Sequence, residues 1–88
     1  MTHDGKGQFE TWINSKVGKT YAEACSFRGR SICGPFVESR EEDLSVEHVH
    51  KVAYRCVFGI VTAKNTGVIT GWRYISAPDE CWVYVPTA

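Results

Sequence analysis

The sequence has no long hydrophobic run and no excess of charge of either sign. Its 88 residues include ten basic and ten acidic side chains, so the formal net charge is zero. Affinity for bulk nucleic acid comes from clustered Lys and Arg that displace counterions from phosphates, and the average composition does not supply them. No apolar stretch approaches the ~20 residues that a membrane helix needs. We therefore expect neither a membrane span nor bulk nucleic-acid binding.

Motifs for catalysis and cofactor binding are absent as well. The VGKT segment at residues 17–20 lacks the upstream glycine and the preceding strand of a phosphate-binding loop. His48 and His50 share a face if they lie on a strand, but their spacing to other residues indicates no third and fourth metal ligand. Cys56 and His50 are too far apart along an extended strand to act as nucleophile and base. We predict no cofactor, no metal ion and no catalytic residue.

The N-terminal residues are polar and have no apolar core of the kind found in a secretory leader. Four cysteines in a chain without a leader are typical of a reducing compartment. The sequence therefore predicts free thiols and a cytoplasmic location. Its length predicts one domain, residues 1–88.

Three runs of β-branched and aromatic residues dominate the C-terminal half of the chain. They cover residues 52–64, 68–76 and 80–85, and short turn signals separate them at residues 65–67 and 77–79. Runs of this composition between turn residues are typical of strands. We predict an antiparallel meander of three to four strands.

The first loop, residues 65–67, predicts the register of this meander. Its last residue, Gly67, adopts the positive φ that a three-residue hairpin loop requires. The loop pairs Ile60 with Trp72, and paired residues point to the same side of a sheet. A three-residue second loop carries the same parity into the last strand. One face is then aromatic, with Tyr54, Phe58, Trp72, Tyr74, Trp82 and Tyr84. The other face is aliphatic, with Ala53, Val57, Val61, Ala63, Ile69 and Ile75.

Helical signals precede the meander. Apolar residues recur at helical spacing from Phe9 to Ala24, which predicts an amphipathic helix over residues 8–24, with a kink or pause at Gly18, packed on the sheet. Residues 31–37 are typical of a short edge strand. Ser39 followed by Glu42 fits a capping box and predicts a short second helix over residues 40–48. The predicted fold class is therefore α+β.

The aromatic face is the candidate binding surface. Trp, Tyr and Arg dominate binding hot spots, and exposed rings stack on nucleotide bases. The alternatives are that the face is core, roofed by the middle segment of the chain, and that the Arg28-Gly29-Arg30 segment is a solvated turn. The candidate binding residues are Tyr54, Phe58, Trp72, Tyr74, Trp82 and Tyr84, with Arg28, Arg30 and Arg73 near the rim.

Three functions follow from this surface and this size. The first is a non-enzymatic interaction protein that binds and blocks a protein partner, as small antagonists from phages and mobile elements do. The second is an oligomeric binder of a nucleotide-like ligand, formed as a homodimer in which two aromatic faces meet. The third is a small enzyme that uses Cys or His.

Overall fold

A four-stranded antiparallel sheet forms the centre of the structure, a computed structural model that describes residues 5–83 of the chain. The strand order is β3-β4-β5-β6, and β1 and β2 form a separate two-stranded hairpin. The predicted α+β class is confirmed. The elements are α1 Gly5–Asn14, α2 Tyr21–Cys25, β1 Ser26–Phe27, β2 Arg30–Ser31, β3 Phe36–Glu41, β4 Ser45–Val52, β5 Cys56–Ala63, β6 Ile69–Tyr74 and α3 Asp79–Trp82.

The hairpin of β5 and β6 has the predicted register over most of its length. Phe58 pairs with Tyr74 and Ile60 pairs with Trp72. A register shift then makes Thr62 pair with Ile69 instead of Thr70. Such a bulge adds one residue to one strand. The residues between the bulge and the loop therefore face the side of the sheet opposite to the predicted one. Ile69, predicted on the aliphatic face, accordingly lies in the core with 1% of its surface exposed.

The strand run predicted over residues 52–64 begins later, as β5 at Cys56. A turn at residues 53–55 separates β4 from β5, and Ala53 has the positive φ of 54° that this turn requires. The strands next to β5 on one side of the sheet are therefore β4 and then β3, which both precede β5 in the sequence. Tyr54 lies on the turn, not on the sheet, and is 81% exposed.

The placement of the second helix over residues 40–48 is wrong. These residues belong to β3, to a tight turn and to β4, and the Glu42 N–H donates to the Ser45 carbonyl across the turn. The short second helix is α2, where Thr20 and Glu23 form the capping box. The alternation of β4, which turns His48, His50 and Val52 toward the core, outweighs the local capping signal at Ser39.

The predicted last strand is also wrong for the residues described. Helix α3 occupies Asp79–Trp82, with Pro78 at its N-cap and acidic side chains in its first turn. Proline and acidic residues both favour a helix start. Trp82 belongs to α3 and is therefore not a strand partner of Tyr74. The predicted pairing of Tyr84 with Trp72 lies outside the described residues, because Tyr84 is not among them.

The predicted helix over residues 8–24 ends early. α1 stops at Asn14, and Gly18 has a φ of 93°, so the predicted pause at this glycine is a complete break. The Gly18 N–H donates to the Ile69 carbonyl at 2.8 Å, and the Ile69 N–H donates to the Lys19 carbonyl at 2.8 Å. The chain after α1 thus covers the start of β6 before α2 begins.

The three helices contribute to one hydrophobic core on a single face of the sheet. Phe9, Trp12 and Ile13 of α1 are buried against the side chains of β5 and β6. Helix α2 adds Ala24 and Cys25, and α3 adds Cys81. The core residues of the sheet are Val52, Cys56, Phe58, Ile60 and Ile69.

Two disulfides staple this core, so the prediction of free thiols is wrong. Cys25 bonds to Cys33, and Cys56 bonds to Cys81, which ties α3 to the start of β5. Sequence spacing could not show this pairing, because both bonds join residues that only the fold brings together.

Within residues 5–83 there is no helix with the length and apolar character of a membrane span.

Candidate functional site

The predicted aromatic face is the face that α1 covers. The Phe9 ring packs edge-on to the rings of Phe58 and Trp72, at centroid distances of 5.5 and 5.9 Å. It stacks on the Tyr74 ring at 5.7 Å. Phe58 has no exposed surface. This face is therefore core, and its roof is the N-terminal helix instead of the middle segment.

The half-buried rings at the border of this core are held by polar contacts to α1. The Trp72 Nε1–H donates to Asn14 Oδ1 at 2.7 Å, and the Tyr74 hydroxyl donates to Glu10 Oε2 at 2.7 Å. The Trp82 Nε1–H donates to the Tyr74 hydroxyl oxygen at 3.2 Å. Burial and the Glu10 carboxylate together raise the pKa of Tyr74 to about 12. These rings hold α1 and α3 on the sheet.

Arg73 lies on the opposite face of the sheet. Its guanidinium donates to both Glu47 carboxylate oxygens, at 2.5 and 2.9 Å. Arg40 approaches the same carboxylate at 3.7 Å from the other side. The hydrogen bonds from Arg73 lower the pKa of Glu47 below its usual value. Arg73 therefore belongs to a charged row on the helix-free face, not to the rim of the aromatic rings.

Arg28 and Arg30 lie on a hairpin whose base is closed by a disulfide. Cys25 directly precedes β1, Cys33 follows β2, and the Ile32 N–H donates to the Cys25 carbonyl at 2.9 Å. Arg28 and Gly29 form the two-residue turn, with φ values of 52° and 79°. Positive φ at both central positions is the signature of a type I′ hairpin. We call residues 25–33 the clamped hairpin.

The two sides of the clamped hairpin face different surroundings. Ser26 pairs with Ser31 on one side, and Phe27 pairs with Arg30 on the other. Phe27 is 58% exposed although it is a large apolar residue. The Arg28 guanidinium lies 5.3 Å from the centre of the Phe27 ring, in a cation–π contact. The outer side thus presents an aromatic ring and two arginines to solvent on a short, stapled frame.

The inner side of the clamped hairpin borders a cleft of about 330 Å³. The cleft is lined by residues of α2, of the clamped hairpin and of strands β3 and β4. His48 and His50 of β4 form the floor of this cleft, and Phe36 of β3 forms its outer wall. The remaining lining residues are Tyr21, Ala22, Cys25, Ser26 and Ser31.

A hydrogen-bonded chain runs through the floor of the cleft. The Tyr21 hydroxyl lies 2.5 Å from His50 Nε2, and His50 Nδ1 lies 3.0 Å from the Gly34 carbonyl oxygen. Because that carbonyl can only accept, His50 carries its proton on Nδ1 and accepts from Tyr21 at Nε2. Burial raises the pKa of Tyr21 and lowers that of His50, which keeps both groups neutral.

His48, in the floor of the cleft, packs against Tyr21. The two rings stack at a centroid distance of 4.0 Å with their planes 15° apart. His48 Nε2 lies 3.0 Å from the Thr62 hydroxyl, which donates to the Val46 carbonyl. Burial and the neighbouring His50 lower the pKa of His48. The cleft is thus an uncharged, partly aromatic surface near neutral pH.

Two of the chemistries considered from the sequence, a cysteine nucleophile and a metal site, can be compared with this structure. All four cysteines are in disulfides, so the thiol nucleophile of a Cys enzyme is not available. Among residues 5–83, no group of three or more His, Cys, Asp or Glu side chains is arranged to hold a metal ion. The Tyr21 hydroxyl and His50 Nε2 are hydrogen-bonded to each other, and His50 Nδ1 is bonded to the Gly34 carbonyl.

The sequence around α2 carries a local signal for the start of this helix. Thr20 followed by Glu23 is a capping box as good as the one predicted at Ser39. One continuous helix over residues 8–24 would include Tyr21, whereas in the structure Tyr21 begins α2 and contacts His48 and His50 of β4. The alternation of His48, His50 and Val52 did indicate that both histidines share a face, as they do.

Comparison with known proteins gives no match: no family model, no curated protein and no solved structure matches this chain. The geometry of the clamped hairpin and the cleft is therefore the basis for a functional proposal.

Proposed function

We propose that this protein is a small, non-enzymatic interaction protein that docks on a protein partner through the outer side of the clamped hairpin. The observation that carries the proposal is the exposure of Phe27 beside Arg28 and Arg30 on a frame that a disulfide closes. Aromatic residues and arginine dominate binding hot spots. The surface fits a partner with an apolar pocket flanked by carboxylates.

The Cys25–Cys33 disulfide supports this proposal because it lowers the entropic cost of binding. A flexible loop must be ordered when it binds, whereas a hairpin fixed by a disulfide and a type I′ turn is ordered beforehand. The backbone of Arg28 adds a second indication. A non-glycine residue at a φ of 52° is disfavoured by about 1–2 kcal/mol, and such residues cluster at binding and catalytic sites.

The protein acts as an inhibitor because it covers a surface that its partner needs for function. An origin in a phage or mobile element remains a prediction from its size. The cytoplasmic location also remains a prediction, but its argument from free thiols no longer holds. Two disulfides favour a chain that folds in an oxidising compartment.

The test uses a displayed library of random linear peptides, selected on the immobilised wild-type protein. We expect enriched peptides to combine acidic and apolar residues. Their affinity should fall at least about tenfold for Phe27→Ser and for Arg30→Ser, a loss typical of a hot-spot residue. The matched control is Leu44→Ser, because Leu44 is 84% exposed on a different turn.

One double variant tests the role of the Cys25–Cys33 disulfide. Replacing Cys25 and Cys33 together by Ala leaves Phe27, Arg28 and Arg30 in place but frees the hairpin. The same peptides should bind this variant more weakly than the wild type. Peptides that bind Phe27→Ser as tightly as the wild type, or a library that yields no enrichment, would refute the proposal.

A second candidate function is the binding of a planar ligand, such as a nucleoside, in the cleft. The stacked Tyr21 and His48 rings and the Phe36 wall favour it. Titration with adenosine, followed by the imidazole proton resonances of His48 and His50, tests this function. A shift that Phe36→Ala abolishes and Tyr54→Ala preserves would support it, and unshifted resonances would contradict it.

A further inference from the structure

Strand β3 has a side that no strand covers. It is the first strand in the order β3-β4-β5-β6, and within residues 5–83 no segment pairs with its outer side. All six of its residues are exposed. The opposite edge of the sheet differs, because Gly18 and Lys19 hydrogen-bond to the start of β6. An exposed edge strand presents unpaired N–H and C=O groups and is a ready template for another strand.

The hairpin between β3 and β4 shows which of these groups point outward. The Glu42 N–H donates to the Ser45 carbonyl at 2.8 Å, so Glu42 bonds inward, toward β4. Along an antiparallel strand the backbone groups alternate between its two sides. Arg40 therefore also bonds inward, whereas Ser39 and Glu41 turn their N–H and C=O groups outward.

A second β3 strand, laid antiparallel with Ser39 opposite its own copy, satisfies these groups. Ser39 then exchanges two backbone hydrogen bonds with Ser39 of the partner subunit, since both residues present outward groups. This arrangement has a two-fold axis at Ser39, which is the symmetry of a closed homodimer. Its result is a continuous sheet of two four-stranded halves.

The charges on β3 match the same register. Glu38 and Arg40 flank Ser39, lie on the helix-free face and form an ion pair at 2.9 Å. With Ser39 on the axis, Glu38 lies directly opposite the partner's Arg40, and Arg40 lies opposite the partner's Glu38. Opposite charges that face each other across two strands stabilise the pair. We propose that this protein forms a two-fold symmetric homodimer through β3, in the register centred on Ser39.

A second copy fits this edge because the charge pattern is complementary to itself. A homodimer through the aromatic face, expected from the sequence, requires that face to be free, and α1 covers it. The dimer through β3 leaves α1 in place. It also does not depend on the clamped hairpin, so the two proposals can fail separately.

Charge reversal combined with rescue tests the interface. Glu38→Arg and Arg40→Glu each place like charges opposite one another, so each variant alone should dimerise at least about tenfold more weakly than the wild type. An equimolar mixture of the two restores opposite pairs and should form a heterodimer. Sedimentation equilibrium measures all three, and circular dichroism confirms that each variant is folded.

A cross-linking pair tests the register. Ser39→Cys places two thiols across the axis, within the ~7 Å between Cα atoms that a disulfide allows. Oxidised glutathione should therefore convert this variant to a covalent dimer, with the bond mapped to residue 39 by mass spectrometry. The control is Glu41→Cys, whose copies lie four residues apart across the interface, about 13 Å, and should not cross-link.

Three results would show that β3 does not form the proposed dimer. A wild-type chain that stays monomeric at millimolar concentration would overturn the proposal. So would a dimer that both charge reversals leave intact, because a surface other than β3 would then form it. Equal cross-linking at residues 39 and 41 would also overturn it, since it indicates random collision instead of a fixed register.

Discussion

The hydroxyl oxygen of Tyr21 lies 2.5 Å from Nε2 of His50, which is 1% exposed. This contact joins α2 to the centre of β4 and leaves the imidazole with a partner on each nitrogen. Tyr21→Phe removes the donor but keeps the ring. Because a buried acceptor left unsatisfied costs about 1–3 kcal/mol, we expect the free energy of unfolding to fall by that amount. Urea denaturation measures it.

Tyr54→Phe is the matched control for this variant. Tyr54 is 81% exposed on the turn between β4 and β5, so the loss of its hydroxyl should leave the free energy of unfolding unchanged. An equal effect of the two substitutions would mean that the hydroxyl of Tyr21 contributes nothing specific.

The stability should decrease on mild acidification. Burial lowers the pKa of His48 and of His50 below the ordinary value of 6.5. As the pH falls below that value, the unfolded chain takes up protons before the folded protein does, so the free energy of unfolding decreases. The stabilisation is present above pH 6.5 and is lost below it. Urea midpoints between about pH 7.5 and about pH 5 measure this decrease.

His48→Gln identifies the source of this pH dependence. Its amide can still donate to the Thr62 hydroxyl, which His48 contacts at 3.0 Å, but it does not titrate. The slope of stability against pH should become shallower and keep its sign, because His50 still titrates. A wild-type profile that is flat over this range would show that neither imidazole is held neutral by the fold.

The sequence predicted the parts of this fold that depend on local chemistry. The loop signal at residues 65–67 predicted the pairing of Phe58 with Tyr74, which the structure has, but it did not predict the register shift at Thr62, next to the loop. The apolar spacing of Phe9, Trp12 and Ile13 likewise predicted the buried side of α1. Both signals act over a few residues.

The misplaced elements depend on contacts between distant residues. The run at residues 80–85 is typical of a strand, but Cys81 bonds to Cys56 in the core, and its neighbours form α3. Nothing near Cys81 in the sequence shows that bond. The cleft was missed for the same reason, because it exists only where α2 and the clamped hairpin meet β4.

The two disulfides should contribute unequally to stability. A cross-link stabilises mainly by restricting the unfolded chain, and the effect grows with the length of the loop it closes. The separations are 8 residues for Cys25–Cys33 and 25 for Cys56–Cys81. Double substitution by Ala should therefore cost about 2.5 kcal/mol for the first pair and about 3.5 kcal/mol for the second. Urea denaturation of both variants measures this order, and the reverse order would contradict the prediction.

Gly59 provides the sharpest test of the helix-free face. The carboxylate of Glu47 lies directly over this glycine, and a Cβ added at residue 59 would clash with Glu47 Oε2. Gly59→Ala therefore forces the side chain of Glu47 away and breaks its two hydrogen bonds with Arg73. We expect a loss of about 1–3 kcal/mol in the free energy of unfolding, as for other overpacked positions.

Gly71→Ala is the control for this steric effect. Gly71 lies on the adjacent strand β6, and a Cβ added there meets nothing within 4 Å. Alanine loses less conformational entropy than glycine when it is fixed in a strand, so this substitution should be neutral or slightly stabilising. Since the hydrogen bonds from Arg73 are the largest cause of the lowered pKa of Glu47, Gly59→Ala should also raise that pKa toward its ordinary value. A carboxyl ¹³C titration of Glu47 measures this shift, and an unchanged pKa in Gly59→Ala would show that the ion pair does not need the space above the glycine.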